Sequence, residues 1–91
     1  MIERVQFSKR ASKDMERFDR RTRERVSKAL KGLVTVPPRS NLDVRPLMGH
    51  APWLRLRVGE KRVILRLIDA VYLVGRVIDR RDLYRALDSL K

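Results

Sequence analysis

The stretch from Trp53 to Arg85, WLRLRVGEKRVILRLIDAVYLVGRVIDRRDLYR, leaves the chain little choice of fold. Two tight-turn signals, Val58-Gly59-Glu60-Lys61 and Ile68-Asp69-Ala70-Val71, interrupt runs rich in Val, Ile and Leu. That composition suits a pleated, half-buried surface. The spacing predicts a three-strand antiparallel meander over Trp53–Val58, Lys61–Ile68 and Val71–Asp79, followed by a short helix.

A two-residue loop at Gly59-Glu60, with Gly supplying the positive φ of a primed turn, sets the register. Val58 then faces Lys61, Arg57 faces Arg62, and Arg55 faces Ile64. Because side chains alternate along a strand, Leu54, Leu56, Val58, Val63, Leu65 and Leu67 share one side. The other side carries Arg55, Arg57, Arg62 and Arg66, with Ile64 and Ile68 between them. Like charges facing each other cost stability. A solvated sheet face would normally mix signs, and these two strands place no acid on that side. The pattern favours a surface that binds anions, a polyphosphate backbone first among them; the ordinary alternative is the wet side of a very basic protein.

With 91 residues there is room for one domain, residues 1–91, and one modest core. Net charge is +12, and 17 of the 23 basic residues are Arg, which suits bidentate phosphate contacts and stacking on bases. Such an excess attracts nucleic acid or an acidic protein. Without cysteine, neither a disulfide framework nor a thiolate metal site is available, which fits a reducing cytoplasm. The N-terminus has no apolar signal core, and no run approaches the ~20 apolar residues of a membrane span.

Before the meander, Ile2, Val5 and Phe7 predict a short strand added to its sheet. Ser8, or Ser12 if the start is later, caps a helix within Lys9–Asp19 whose stripe is Ala11, Met15 and Phe18. Asp19 or Thr22 caps a second helix, Arg23–Leu33, with Val26, Ala29, Leu30 and Leu33 on one face and Gly32 near a fraying end. The pair reads as an αα-hairpin packed on the sheet, its outer side strongly basic. From Val36-Pro37-Pro38 the chain reads as a loop to Pro52, tacked to the sheet edge by Leu42, Val44, Leu47 and Met48. Arg80–Leu90 reads as a short terminal helix, with few anchors in Leu83, Leu87 and Leu90.

Arg45-Pro-Leu-Met-Gly49, the Trp53–Arg66 hairpin with its Arg57-Val-Gly-Glu-Lys-Arg-Val63 core, and Val77-Ile-Asp-Arg-Arg-Asp-Leu-Tyr84 together resemble the RelE/ParE toxin superfamily. The ordered set spans essentially the whole chain. It implies an α+β fold: an N-terminal strand, an αα-hairpin, a meander forming a curved sheet, and a short C-terminal helix, as in microbial ribonucleases. It also implies a toxin of a type II toxin–antitoxin pair. The RelE branch cleaves messenger RNA on the ribosome and stops translation, whereas the ParE branch poisons DNA gyrase without nuclease activity. The implied partners are an acidic, DNA-binding, RelB-like antitoxin together with ribosome and mRNA, or alternatively gyrase.

By motif, Arg55 and Arg62 match the superfamily's basic sheet positions, Arg80 or Arg81 the basic residue after the last strand, and Tyr84 its tyrosine. Arg57, Arg66, Lys61 and Trp53 complete the candidate RNA-binding set. RNA cleavage by its own 2′-hydroxyl needs that hydroxyl activated, the phosphorane charge stabilised and the 5′-oxygen protonated. Arginine is too weakly acidic to serve as a base; it serves as a fixed cation aimed at developing charge. Tyr84 would act as base, orient the hydroxyl or stack. No metal or other cofactor is required, and no clustered ligand set is apparent. Asp79 stands where many ribonuclease members have His, and either acts as base or neutralises Arg62 or Arg81. Trp53 replaces a basic residue of some members and either stacks on a base or anchors the core. His50 reads as a solvated loop residue, and Tyr72 as core or edge packing.

Overall fold

The computed structural model describes residues 4–35, 37–39 and 41–90, without the side chain of Ser89. It is an α+β fold with strands β1 (Arg4–Phe7), β2 (Asp43–Pro46), β3 (Leu54–Val58), β4 (Lys61–Ile68) and β5 (Val71–Asp79). The helices are α1 (Lys9–Glu16), α2 (Arg20–Val34) and α3 (Leu83–Leu87), the last flanked by 3₁₀ turns at Arg80–Asp82 and Asp88–Leu90. The five strands form one sheet in the order β1-β5-β4-β3-β2. No described helix is long and apolar enough to cross a membrane.

The central hairpin has the predicted register, with Val58 opposite Lys61, Arg57 opposite Arg62 and Arg55 opposite Ile64. Gly59 sits at φ 57, the left-handed conformation its turn requires. The next turn uses Asp69 and Ala70 at φ 47 and 59, a conformation that Ala adopts only at a cost. β1 runs parallel to β5, from Arg4 beside Val71 to Phe7 beside Val74; Ile2, read as part of that strand, lies outside the described residues. Where β1 stops, side chains take over the open edge of β5. The Ser8 hydroxyl donates to the Gly75 carbonyl (2.9 Å) and accepts from the Ala11 amide (3.1 Å), so one residue caps α1 and ties it to the sheet. Asp14 then accepts from the Val77 amide at 2.9 Å.

Asp19 caps α2 by accepting from the Thr22 amide at 2.9 Å, so this helix begins three residues before the predicted start, 20 against 23. Gly32 does not mark a fraying end. The helix continues to Val34, and the chain turns back so closely that a Cβ on Gly32 would lie 3.0 Å from the Arg39 side chain. The predicted loop also contains a strand: β2 pairs antiparallel with β3, from Asp43 opposite Arg57 to Pro46 opposite Leu54. Pro46 at its end, which lacks an amide to donate, suits an edge strand and hides it from pattern reading. Met48, read as an anchor, is 96 % exposed, while Leu47 is buried.

Two cores sit on opposite sides of the sheet. The larger joins Ala11, Val26, Leu30 and Leu33 of the helical hairpin to Leu56, Val63, Leu65, Val74 and Val77. The smaller lies on the arginine side, where Ala86 and Leu87 cover Ile64 and Ile78, with Trp53, Leu83 and Leu90 around them. Ile64 is therefore fully buried rather than part of an open face, and the C-terminal segment is seated by two buried residues. Gly75 is the extra residue of a β-bulge in β5: Leu65 pairs with Val74 but Ile64 with Arg76. A Cβ at Gly75 would lie 2.9 Å from both Leu90 and the Trp53 ring.

Candidate nucleic-acid interface

The C-terminal segment divides the arginine side of the sheet into two stations. At one, Arg57 and Arg62 face each other across β3 and β4, with Arg55 two residues along β3. Arg80 joins them, because its amide donates to the Glu60 carbonyl of the hairpin turn at 2.8 Å. Arg62 is the inner member, only 7 % exposed, and its Nη1 donates to the carbonyls of Gly59 and Lys61, both at 2.9 Å. Burial, and then the charges of Arg57, Arg55 and Arg80, pull its pKa below the ordinary arginine value against the opposing pull of Glu60. It remains a cation at neutral pH. This is a preorganised positive site whose charges repel one another and are held together by the sheet.

Arg55 is partly spent, for its Nη2 lies 3.2 Å from Asp43 on the neighbouring edge strand. Asp43 also meets Arg45, at 3.3 Å. Partial desolvation pushes the Asp43 carboxyl up, but Arg55, Arg45 and Arg57 outweigh it, and the group stays below the usual carboxylate range. Arg57 and Arg80 are exposed, and no ion pair involves them among the described residues. Arg81 and Tyr84 are exposed too, Tyr84 at 83 %, on the turn and helix after β5.

The second station is Trp53 with Arg66, whose guanidinium carbon lies 5.5 Å from the ring centroid. Trp53 packs into the smaller core, so the anchoring reading holds for the indole. Lys61 belongs to neither station. It points to the helix side, its ammonium 4.4 Å from the Phe18 ring and ion-paired with Asp79. Asp79 therefore neutralises Lys61 rather than Arg62 or Arg81. His50 is an exposed turn residue, and Tyr72 packs at the edge of the larger core.

Sequence reasoning missed Asp14. It lies between Ala11 and Phe18 at helical spacing, on the buried stripe of α1, where an acid needs a partner. Arg76 supplies it, with Nε and Nη2 at 2.8 and 3.1 Å from the two carboxylate oxygens. The hydrogen bond to Asp14 raises the Arg76 pKa, burial notwithstanding. Arg76 is thus a structural tie. Among the described residues no cluster of three or more His, Cys, Asp or Glu side chains could hold a metal ion.

This α+β arrangement, a five-stranded mixed sheet with three helices, is shared by solved RelE structures. The chain superposes with a TM-score of 0.74 on the RelB–RelE complex from Methanococcus jannaschii, at 22% identity, covering 89% of this chain and 96% of that one. Against the archaeal RelE–RelB complex from Pyrococcus horikoshii OT3 the values are 0.71, 27%, 88% and 97%. A double mutant of the E. coli toxin RelE in the free state gives 0.72, 22%, 98% and 93%. Among curated proteins none matches by sequence. The model of the ParE toxin of the type II toxin–antitoxin system parDE matches residues 5–84. The chain belongs to that family, within the RelE/ParE superfamily, and is a type II toxin.

Proposed function

We propose that this toxin is an endoribonuclease that cuts messenger RNA on the ribosome and so halts translation. The observation that carries the reading is Arg62: a nearly buried cation fixed by two backbone carbonyls, with no carboxylate bond among the described residues, at the centre of Arg55, Arg57 and Arg80. Such a group costs stability unless its charge is used. Aimed at a scissile phosphate, it offers preset stabilisation to the phosphorane with no reorganisation during the reaction. In this reading the RNA 2′-oxygen bonds to phosphorus, the bond to the 5′-oxygen breaks, and the departing 5′-oxygen takes a proton from solvent that replaces the one lost by the 2′-hydroxyl. Arg57 and Arg80 seat the phosphates, Arg55 contributes a charge shared with Asp43, and Tyr84 takes or orients the 2′-hydroxyl proton. Arg81 lies beside Arg80 as an additional backbone contact. No step calls for a metal.

The RelE relatives from M. jannaschii and P. horikoshii are solved as complexes with RelB. With a net charge of +12, the partner assigned here is an acidic, DNA-binding, RelB-like antitoxin that folds across the basic surface in the cytoplasm. A second reading, a ParE-type gyrase inhibitor, is favoured by the matching family model and by the engagement of Asp79, the residue in the position of the ribonuclease His, with Lys61.

The test is in vitro translation of a defined message with primer-extension mapping, comparing the native chain with Arg62→Ala and Tyr84→Phe. Codon-phased cuts that vanish with Arg62→Ala and fall about 100-fold or more with Tyr84→Phe are expected, the scale of a lost general base. Intact message with a chain that blocks gyrase supercoiling would overturn the ribonuclease and establish the second reading.

A further inference from the structure

Four arginines of this protein are buried or half-buried: Arg55, Arg62, Arg66 and Arg76. Three have polar partners, namely Asp43, the hairpin carbonyls and Asp14. Arg66 has none among the described residues, and its Nε is enclosed without a hydrogen bond. Buried donors are rarely left in that condition, and each case calls for an explanation. What holds this guanidinium is a ring. Trp53 precedes β3 in the position facing Arg66, and the cation rests over the indole. The indole is itself immobilised, because the bulge glycine lets its edge drop onto the backbone of β5, where a side chain would collide.

The arrangement is an odd investment for stability alone. A methionine or leucine would cover the indole without enclosing an unsatisfied donor. A planar cation held over an aromatic ring, with no acceptor for its enclosed Nε among the described residues, is instead a stacking platform. Guanidinium planes stack on nucleobases, and their outer N–H groups reach base edges. Arg66 is on the same side of the same strand as Arg62, four residues along, or about 13 Å. Ile68, next on that side, is 41 % exposed and gives the platform an apolar border.

We propose that Trp53 and Arg66 form a base-stacking subsite for single-stranded RNA, set apart from the arginine station that takes the phosphates. The proposal rests on the RNA-directed reading above. A strand whose phosphates meet Arg57, Arg62 and Arg80 would lay a base a nucleotide or two away against Arg66. Phosphate contacts position the strand, and the platform adds selectivity for a stacked base over bare backbone.

Trp53 is the only tryptophan, so its emission reports on the subsite directly. The probes are a short single-stranded RNA and a matched oligomer with abasic positions throughout, titrated into the full chain and into Arg66→Lys. Lysine keeps the charge and removes the plane. Circular dichroism melting confirms that the variant is folded. The base-bearing RNA is expected to change Trp53 emission in the native chain and to bind Arg66→Lys about 5- to 100-fold more weakly, the range of one stacked base. The abasic oligomer should bind both proteins within about twofold and leave Trp53 emission unchanged. Equal binding of the base-bearing RNA by both proteins, or its binding with Trp53 emission unmoved, overturns the subsite while leaving the RNA reading intact. Failure of both oligomers to bind the native chain overturns the RNA reading and the subsite with it.

Discussion

Replacing Asp14 by alanine should destabilise this fold more than removing any single surface charge. Its carboxylate, 6 % exposed, accepts from the buried Val77 amide at 2.9 Å and from Arg76 at 2.8 and 3.1 Å. With Ser8, it fastens α1 to β5 after β1 has ended. Alanine leaves the Val77 amide without this acceptor, and deprives Arg76 of a charge-assisted pair. Breaking a buried pair from one side costs about 3–5 kcal/mol. A chain of this length has a total stability of about 5–14 kcal/mol. With a urea slope of about 1.5 kcal/mol/M, the midpoint should fall by roughly 2–3 M. Arg76→Met retains volume and stem packing, so the double variant should cost about 2 kcal/mol less than the sum of the single ones. Equilibrium urea unfolding followed by circular dichroism measures all three variants. A midpoint shift below about 0.5 M for Asp14→Ala, or additivity within about 0.5 kcal/mol, would refute the reasoning.

Four further outcomes can be measured on the same material. Ala70→Gly relieves the left-handed strain at φ 59, offset by greater freedom in the unfolded chain, and should stabilise by about 0.5–1 kcal/mol in urea unfolding. Gly75→Ala should destabilise by about 1–3 kcal/mol and shift the emission of Trp53, whose ring a Cβ would meet at 2.9 Å. Hydrogen bonds from Thr22 hold the Asp19 carboxyl below its ordinary 3.8, so its contribution to stability is present above that value and lost as pH falls through the depressed one. Thermal melts of Asp19→Ala should therefore lie below those of the native chain at pH 7 and converge with them under strongly acidic conditions. Short single-stranded RNA should bind with a log–log salt slope of about −2 to −3, since Arg57, Arg62 and Arg80, with the shared charge of Arg55, meet three or four phosphates; a slope steeper than about −5 would mean that the helices also carry the strand.

The meander was legible because its signal is local. Turn residues fix the hairpin, and a period of two divides the side chains between faces. Each helix cap was narrowed to two candidates for the same reason, and the structure uses the earlier of each pair, Ser8 and Asp19, each three residues before the amide it accepts from. What escaped reading depends on contacts distant in sequence. β2 is four residues of mixed polarity ending in proline, and becomes a strand only because β3 offers it an edge. Asp14 and Arg76 are 62 positions apart, and neither helix period nor strand alternation links them. The cover over Ile64 was missed because α3 contributes just Ala86 and Leu87 as buried residues, too short a pattern to distinguish from a frayed end. The arginine stations were half legible. Alternation placed Arg55, Arg57, Arg62 and Arg66 on one side, but not the division of that side by the C-terminal segment.

The placement of acids around the sheet resolves a conflict between stability and binding. Arg57 and Arg62 face each other across two strands, an arrangement that repels. A carboxylate bonded to Arg62 would relieve the repulsion and cancel the site. The chain instead places its acids at the flanks. Asp43, on the outermost strand, takes Arg55 and Arg45, while Asp79 takes Lys61 on the opposite side of the sheet. Arg62 itself is steadied by carbonyl oxygens, which take its Nη1 hydrogens while leaving its full charge in place. Arg66 is steadied by a ring, with the same consequence. Each inner cation of the sheet free of an acid, Arg62 and Arg66, is thus fixed by a neutral group, and each sheet cation paired with an acid stands at a flank or serves as a structural tie. That division is what a surface for a polyanion requires: charge that is immobile before the ligand arrives and not yet spent.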